Sequence, residues 1–253
     1  LFSRKNKMLG SVSKKIFSFL EDKLLSGAIG VNVVSEGFPE YFQEEGIDTS
    51  NWSFYPNGVD QEFTKINNKK DIVLKQFKTI LYAGNIGSGQ GLEVILPDVA
   101  KKLGKNYQFL VVGDGGMKAS LEGGIKRKNI DNVEILSPVK REKLIDFYQN
   151  ADILFLHLNN IPAFRRVLPS KIFEYTASGK YIVAGLSGYS AKFLKNNSPY
   201  ATVFDPGNVN QCVQLIKKAE SLKIDKEKID FFIKEYNREK IMQKMAAHIL
   251  SLV

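Results

Sequence analysis

The chain has 253 residues, of which 43% are hydrophobic and 25% are charged, and its formal net charge is +9. This composition is that of a globular protein with one large or two small cores. The single cysteine, Cys212, excludes a disulfide framework and fits a reducing compartment. The positive charge favours an anionic partner such as a nucleotide, a phospholipid surface or a nucleic acid.

The first sixty residues differ in pattern from the rest of the chain. They begin with a predicted basic amphipathic helix whose apolar residues recur at helical spacing: Val12, Ile16, Leu20 and Leu24. A short strand over 29–34 and a helix over 36–45 are predicted next. The run Pro-Asn-Gly-Val-Asp at 56–60 is a strong turn signal, and the lysine-rich stretch 64–71 is expected to be a linker.

From Lys78 onward, short apolar strands alternate with amphipathic helices. The predicted strands are Thr79–Ala83, Gln108–Val112, Val133–Leu136, Ile153–His157 and Tyr181–Ala184. Strands that are apolar throughout are expected of a parallel sheet buried on both faces, and the helices between them complete a doubly wound α/β domain. One more helix is predicted over Asn237–Val253.

In such a sheet, ligands bind outside the carboxyl ends of the strands, so the loops there hold the candidate site. The first strand is followed by a glycine-rich loop, 84–91, whose backbone amides can approach a diphosphate closely. A flexible loop without a ligand is the alternative. The loop residues expected to contact the ligand are Gly84, Asn85, Ile86, Gly87 and Gln90. Gly113 follows the second strand, where Asp114 is expected to cap the next helix, and Val139 follows the third strand and is expected to frame a base.

The segment after the fourth strand is the most informative. Pro169 suits the start of a helix, and Gly179 suits its C-terminal cap. The free amides of that helix start, with Ser170 and Lys171, would make an anion site. Glu174 shares a face with both, which is explained if its carboxylate accepts hydrogen bonds from a ribose diol. A surface Lys–Glu pair is the alternative reading.

The two histidines and the single cysteine do not form a pattern that is typical of a metal site or a nucleophile. His157 ends the fourth strand, where it either touches a ligand or serves the structure. The two histidines and Cys212 are far apart, so no zinc or iron site is expected. No residue is assigned a catalytic role from the sequence.

These motifs together resemble the retaining GT-B glycosyltransferases of the group 1 family, above all bacterial members that build O-antigen or capsule polysaccharides. The likeness rests on Tyr82–Gly91, Gly113-Asp114-Gly115, Ala151-Asp152, Pro169-Ser170-Lys171, Glu174 and Gly179-Lys180. The resemblance implies a Rossmann-like donor domain over 61–236. It also implies that 1–60 are the tail of the acceptor-side N-terminal domain with the interdomain linker, and that 237–253 form a crossover helix.

The resemblance further implies a ligand and a reaction. The ligand would be a nucleoside-diphosphate sugar, with UDP as the expected nucleotide, and the sugar would pass without a metal cofactor to a saccharide or polyprenyl-linked acceptor in surface polysaccharide synthesis. Glu174 matches the second of two family glutamates, whereas the first falls on Arg166. The family's diphosphate-binding lysine after the first glycine loop is missing here, since Gln90 stands near its position, and Lys171 is expected to supply that charge instead.

The expected location is the cytoplasm, with the basic first helix lying on the inner face of the membrane. Two other functions remain open: a non-catalytic donor-domain subunit that pairs with a separate acceptor domain, and a sugar-nucleotide epimerase of the same fold. Nucleic-acid binding is disfavoured because aromatic residues are not interleaved with the basic ones.

Overall fold

The structure is a computed structural model that describes residues 20–21, 23–66, 76–219 and 225–252. Most of the predicted basic first helix and part of the predicted linker lie outside these residues. Within the described part, residues 20–26 apart from 22 are helical.

The N-terminal part contains two short strands and a helix, namely β1 (Val31–Val33), α1 (Gly37–Glu44) and β2 (Trp52–Phe54). The strands are parallel, with Val31 opposite Trp52. The predicted strand and helix are confirmed here. The strand β2 was not predicted, because three residues are too few to show a period in the sequence.

The larger part of the chain is built on one sheet of parallel strands. They are β3 (Lys78–Ala83), β4 (Tyr107–Val112), β5 (Val133–Leu136), β6 (Ile153–His157), β7 (Tyr181–Gly185) and β8 (Ala201–Phe204). The order across the sheet is β5-β4-β3-β6-β7-β8, so the direction of winding reverses between β3 and β6. This is the order of the Rossmann fold, and the reversal marks the point where such sheets bind ligands.

The predicted doubly wound α/β class is therefore confirmed, and every strand predicted for this sheet is present to within one residue at each end. The strand predicted over 29–34 is shorter and covers Val31–Val33. The strand β8 was not predicted. It has four residues between Pro199 and Pro206, a context that reads as turn and loop in the sequence.

Helices cover both faces of the sheet. They are α2 (Leu92–Leu103), α3 (Lys118–Arg127), α4 (Arg141–Asn150), α5 (Lys171–Ala177), α6 (Gly188–Asn197), α7 (Val209–Lys218), α8 (Lys226–Glu235) and α9 (Arg238–Ser251). Alternate residues of each strand enter opposite cores: Ile80 and Tyr82 join one, and Leu81 and Ala83 the other. Cys212 of α7 is fully buried in the first core, and burial raises the pKa of its thiol.

The chain enters and leaves the sheet domain at one crossing. The Val59 amide donates to the Tyr236 carbonyl at 2.7 Å, and the Arg238 amide donates to the Val59 carbonyl at 3.1 Å. Gly58 has a φ of +69°, and a Cβ there would lie 2.8 Å from the Tyr236 carbonyl oxygen, so the turn requires glycine. The predicted boundaries at 60 and 236 fall at this crossing, and the division into domains stays a prediction.

Candidate functional site

A cavity of about 370 Å³ opens at the carboxyl ends of β3 and β4. It is closed on the other sides by the loop after β5, by α4 and by α5. Six of the predicted site residues line it: Gly84, Asn85, Gly113, Val139, Lys171 and Glu174. The other predicted site residues do not, so the structure brings together one part of the expected set.

Lys171 projects from the first turn of α5 toward the end of β3. A Cβ at Gly84 would lie 2.1 Å from the Lys171 ammonium nitrogen, so the missing side chain makes room for the cation. Burial lowers the pKa of Lys171, although the neighbouring carboxylate of Glu174 opposes this. Within the described ranges, no acceptor forms a hydrogen bond with this ammonium group, which leaves it available to an anion in the cavity.

Glu174 lies on the same side of α5 and is held by Tyr148. The Tyr148 hydroxyl donates to Glu174 Oε2 at 2.9 Å. Burial raises the pKa of Tyr148 well above its ordinary value, so the hydroxyl keeps its proton. Burial also raises the pKa of Glu174, against the hydrogen bond from Tyr148 and the charge of Lys171. No donor among the described residues contacts Oε1, so this oxygen can accept a ligand hydroxyl.

Tyr148 is positioned by aromatic neighbours on two elements. Its ring stacks on Phe63 at 5.6 Å between centroids and meets Tyr175 edge-on at 5.5 Å. The Tyr175 hydroxyl in turn accepts from the Ala83 amide at 3.2 Å. In the sequence, Tyr148 is recognisable only as one of the apolar residues along α4. The available signal was its hydroxyl, because a buried tyrosine needs a polar partner.

The polar groups of the glycine-rich loop form hydrogen bonds within the loop and with Asp114 in the next βα loop. The Ile86 amide donates to the Asp114 carbonyl at 2.7 Å, and the Ile86 side chain is fully buried in the core. Gln90 Oε1 accepts from Asn85 Nδ2 at 3.1 Å and from the Gly87 amide at 3.2 Å. Ile86, Gly87 and Gln90 therefore do not line the cavity, and their contact with a ligand stays a prediction.

The starts of two helices differ from expectation. The helix α5 begins at Lys171, and neither Pro169 nor Ser170 lines the cavity, so their contact with a ligand also stays a prediction. The end of α5 is confirmed, because Gly179 has a φ of +65° just beyond it. The predicted helix cap at Asp114 is wrong. Its Oδ1 accepts from the adjacent Gly115 amide at 2.8 Å, and α3 begins only at Lys118, because two glycines delay the helix.

The family described as "Glycosyl transferases group 1" matches residues 64–240. The chain belongs to this family. It is 26% identical over 221 residues to the colanic acid biosynthesis glycosyl transferase WcaI of Escherichia coli K12, covering 83% of this chain and 54% of that protein. The chain thus spans about half the length of this curated relative.

Solved structures share the fold at low identity. A glycosyltransferase from Rickettsia africae superposes with a TM-score of 0.73 at 17% identity, covering 94% of this chain and 67% of that one. Anabaena Alr3699/HepE, solved with UDP and glucose, gives a TM-score of 0.69 at 16% identity, with 94% and 66% covered. The expected GT-B glycosyltransferase fold is thereby confirmed.

Arg166, which the resemblance predicts to stand at the position of the family's first glutamate, faces the N-terminal part of the chain. Its guanidinium carbon lies 3.5 Å from the centroid of the Tyr41 ring. Its carbonyl accepts a hydrogen bond from the buried Ser35 hydroxyl. Arg166 is thus engaged with residues of the N-terminal part, and it does not line the cavity.

Two further observations concern the described residues as a whole. In the part of the chain that the structure covers, no three histidine, cysteine, aspartate or glutamate side chains are grouped so that they could hold a metal ion. None of the helices described there combines the length and apolar character needed to cross a membrane.

Proposed function

We propose that this chain is the donor-binding half of a glycosyltransferase and that it holds a nucleoside-diphosphate sugar in the cavity at the ends of β3 and β4. The observation that carries the proposal is the pairing of Lys171 and Glu174 above Gly84. One side chain offers an ammonium group and the other a carboxylate oxygen, and both atoms face one cavity without a protein partner in the described ranges. A diphosphate would bind the ammonium group, and the hydroxyls of a neighbouring ribose would donate hydrogen bonds to the carboxylate oxygen.

The assignment of ligand groups follows from the positions of these residues. The diphosphate lies at the Lys171 ammonium group, for which the missing side chain of Gly84 leaves room. The ribose hydroxyls donate to Glu174 Oε1, since Oε2 is already occupied by Tyr148. The base lies toward Val139 and the loop after β5. UDP is the proposed nucleotide, which the fold relative solved with UDP and glucose supports.

We further propose that the site works without a metal ion. A departing diphosphate carries negative charge, and Lys171 offers a positive charge inside a partly buried cavity, where such an interaction is stronger than in water. The lowered pKa of Lys171 supports this role, because a cation that burial has made unfavourable gains from an anionic ligand.

For the whole protein we propose transfer of the sugar to a saccharide or polyprenyl-linked acceptor in surface polysaccharide synthesis. The name of the colanic acid relative supports this biological role. We propose that the protein acts in the cytoplasm and that the basic segment predicted to form its first helix contacts the inner face of the membrane. The net charge of +9 supports contact with an anionic surface.

The two other candidate functions differ in support. An epimerase needs several acidic groups and histidines around the substrate, whereas the described residues lining the cavity include only Asp114 and Glu174 as acids and no histidine. A donor domain that pairs with a separate acceptor domain is supported by exposed apolar side chains near both ends of the described chain. Leu24 is 73% exposed and Leu250 is 77% exposed.

The decisive experiment is a calorimetric titration of the chain with UDP, GDP and ADP. We expect UDP to bind most tightly and Lys171→Met to weaken its binding by about 1.5–3 kcal/mol, the range for a hydrogen bond to a charged group. Glu174→Gln should cost about 1–2 kcal/mol. Donation by Tyr148 orients the new amide so that its NH₂ group, which cannot accept a hydrogen bond, faces the ribose.

Matched controls are the exposed residues Lys101→Met and Glu122→Gln, which remove the same charges away from the cavity. Both should bind UDP as the unmodified chain does. The proposed site would be refuted if none of the three nucleotides bound. It would also be refuted if the Lys171 and Glu174 variants bound UDP as tightly as the unmodified chain.

A further inference from the structure

The carbonyl groups of the glycine-rich loop point to the residues that end β6. The Ser88 carbonyl accepts from Asn159 Nδ2 at 3.2 Å, and the Gly89 carbonyl accepts from the Asn159 amide at 2.8 Å. The Gln90 carbonyl lies 2.6 Å from His157 Nδ1. Three consecutive peptide groups are thus held by two residues that are distant in the sequence.

The second nitrogen of His157 is also engaged. The Gly207 amide donates to His157 Nε2 at 3.1 Å. A carbonyl can only accept a hydrogen bond and a peptide amide can only donate one, so both contacts are satisfied only by a neutral ring with its proton on Nδ1. An imidazolium ring would turn an N–H group toward the Gly207 amide and lose this bond.

Packing holds the ring in this orientation. His157 is only 1% exposed and packs beside the rings of Phe155 and Phe204, at centroid distances of 6.4 and 6.0 Å, while these two rings lie 6.2 Å from each other. A Cβ at Gly185 would lie 2.2 Å from His157 Cδ2, so the glycine makes room for the ring. Burial lowers the pKa of His157, against the hydrogen bond to Gln90, which agrees with a neutral imidazole.

The contacts continue from His157 to the cavity. Gln90, whose carbonyl His157 holds, accepts through its side chain from Asn85 Nδ2 and from the Gly87 amide. Asn85 is one of the residues that line the cavity. A continuous series of hydrogen bonds therefore runs from the turn after β8, at Gly207, to the rim of the proposed donor site.

We propose that His157, as a neutral imidazole protonated on Nδ1, is a positioning residue that ties the glycine-rich loop to the turn after β8 and thereby fixes Asn85 at the cavity. The effect on donor binding rests on the proposed function. The tautomer and the anchoring of the loop do not depend on it, and each is measured separately.

The tautomer is measured first, on the unmodified chain. Long-range ¹H–¹⁵N correlation spectra at pH 7.5 distinguish a ring protonated on Nδ1 from one protonated on Nε2. We expect His157 to show the Nδ1-protonated pattern. An Nε2-protonated ring or an imidazolium at this pH would overturn the proposal, and this measurement needs no variant that must fold.

The anchoring of the loop is measured by hydrogen exchange in His157→Asn and His157→Gln. The Asn side-chain NH₂ replaces Nδ1 and can still donate to the Gln90 carbonyl, whereas the Gln side chain reaches the position of Nε2 and leaves that carbonyl unpaired. We expect faster exchange in the peptide covering 84–91 for His157→Gln than for His157→Asn. Equal exchange in the two variants, or the reverse order, would overturn the role of His157.

The effect on the donor is then measured by titration with UDP. His157→Asn should bind within about twofold of the unmodified chain, and His157→Gln about fivefold more weakly, as expected for one lost hydrogen bond. Matched controls are His248→Asn and His248→Gln, in α9, which should leave both readouts unchanged.

Equal UDP affinities in the two His157 variants would overturn the effect on the donor. Failure of the unmodified chain to bind UDP would instead refute the proposed function, and the tautomer and exchange results would still decide the anchoring.

Discussion

Two segments at the carboxyl edge of the sheet treat their polar groups in opposite ways. The glycine-rich loop after β3 bonds its amides and carbonyls to other parts of the protein, including Asp114, His157 and Asn159. The first turn of α5 instead carries Lys171 and Glu174, each with an atom that has no protein partner in the described ranges. The loop therefore shapes the cavity, whereas α5 supplies the groups that are free to bind a ligand.

Among the substitutions that test this difference between the loop and α5, Gly84→Ala should lower UDP affinity most, because it brings a loop atom against a side chain of α5. The Cβ of Gly84→Ala would lie 2.1 Å from the Lys171 ammonium nitrogen, so the end of the lysine side chain must move away from Gly84. We expect UDP affinity, measured by calorimetry, to fall at least about tenfold, or about 1.4 kcal/mol. Gly104→Ala is the control, because Gly104 also has a positive φ but has open space around it. Similar affinities in both variants would mean that Lys171 does not bind the diphosphate.

A smaller effect is expected from Tyr148→Phe, which leaves the loop intact and removes the hydrogen bond from α4 to Glu174 of α5. The hydrogen bond from Tyr148 lowers the pKa of Glu174, so its loss raises that pKa further. Glu174 accepts best when ionised, and UDP affinity should therefore begin to fall at a higher pH in the variant as the solution is acidified. At neutral pH we expect a loss of about 1 kcal/mol.

Calorimetric titrations with UDP across a pH series test this shift. Tyr200→Phe is the control, because it removes a hydrogen bond to the Asp225 carbonyl far from the cavity. An unchanged pH profile in Tyr148→Phe would show that Glu174 does not contact the ligand as a carboxylate.

A still smaller effect is expected within the loop itself. Gln90→Met removes the oxygen that accepts from Asn85 and from the Gly87 amide. Because Gln90 does not line the cavity, UDP affinity should fall by only about threefold, or roughly 0.7 kcal/mol. A loss as large as that of Lys171→Met would contradict the comparison, since Gln90 would then have to bind the ligand itself.

No effect is expected from a chelator. If Lys171 supplies the positive charge for the diphosphate, excess EDTA should leave the calorimetric affinity for UDP unchanged, and added Mg²⁺ should not raise it. A tenfold weaker affinity in EDTA that Mg²⁺ restores would show that a metal ion takes part in binding.

The pattern of the chain was sufficient to predict the sheet, because apolar runs of four or five residues such as Ile153–His157 are too short for helices and alternate with amphipathic segments. It was also sufficient to place Lys171 and Glu174 on one side of a helix, since helical spacing decides that. The sequence pattern could not predict the hydrogen bonds that hold the glycine-rich loop. His157 and Gln90 are 67 residues apart, and their contact follows only from the strand order. Tyr148 was missed for a related reason, since its hydroxyl partner lies on another helix.

The burial of Cys212 has a practical consequence. It is the only cysteine in the chain, and its buried thiol with a raised pKa should react slowly with maleimides. A cysteine introduced at the exposed rim position, as Asp114→Cys, would then be the one reactive site. A fluorophore attached there would report the filling of the cavity directly, and no native cysteine would first have to be replaced.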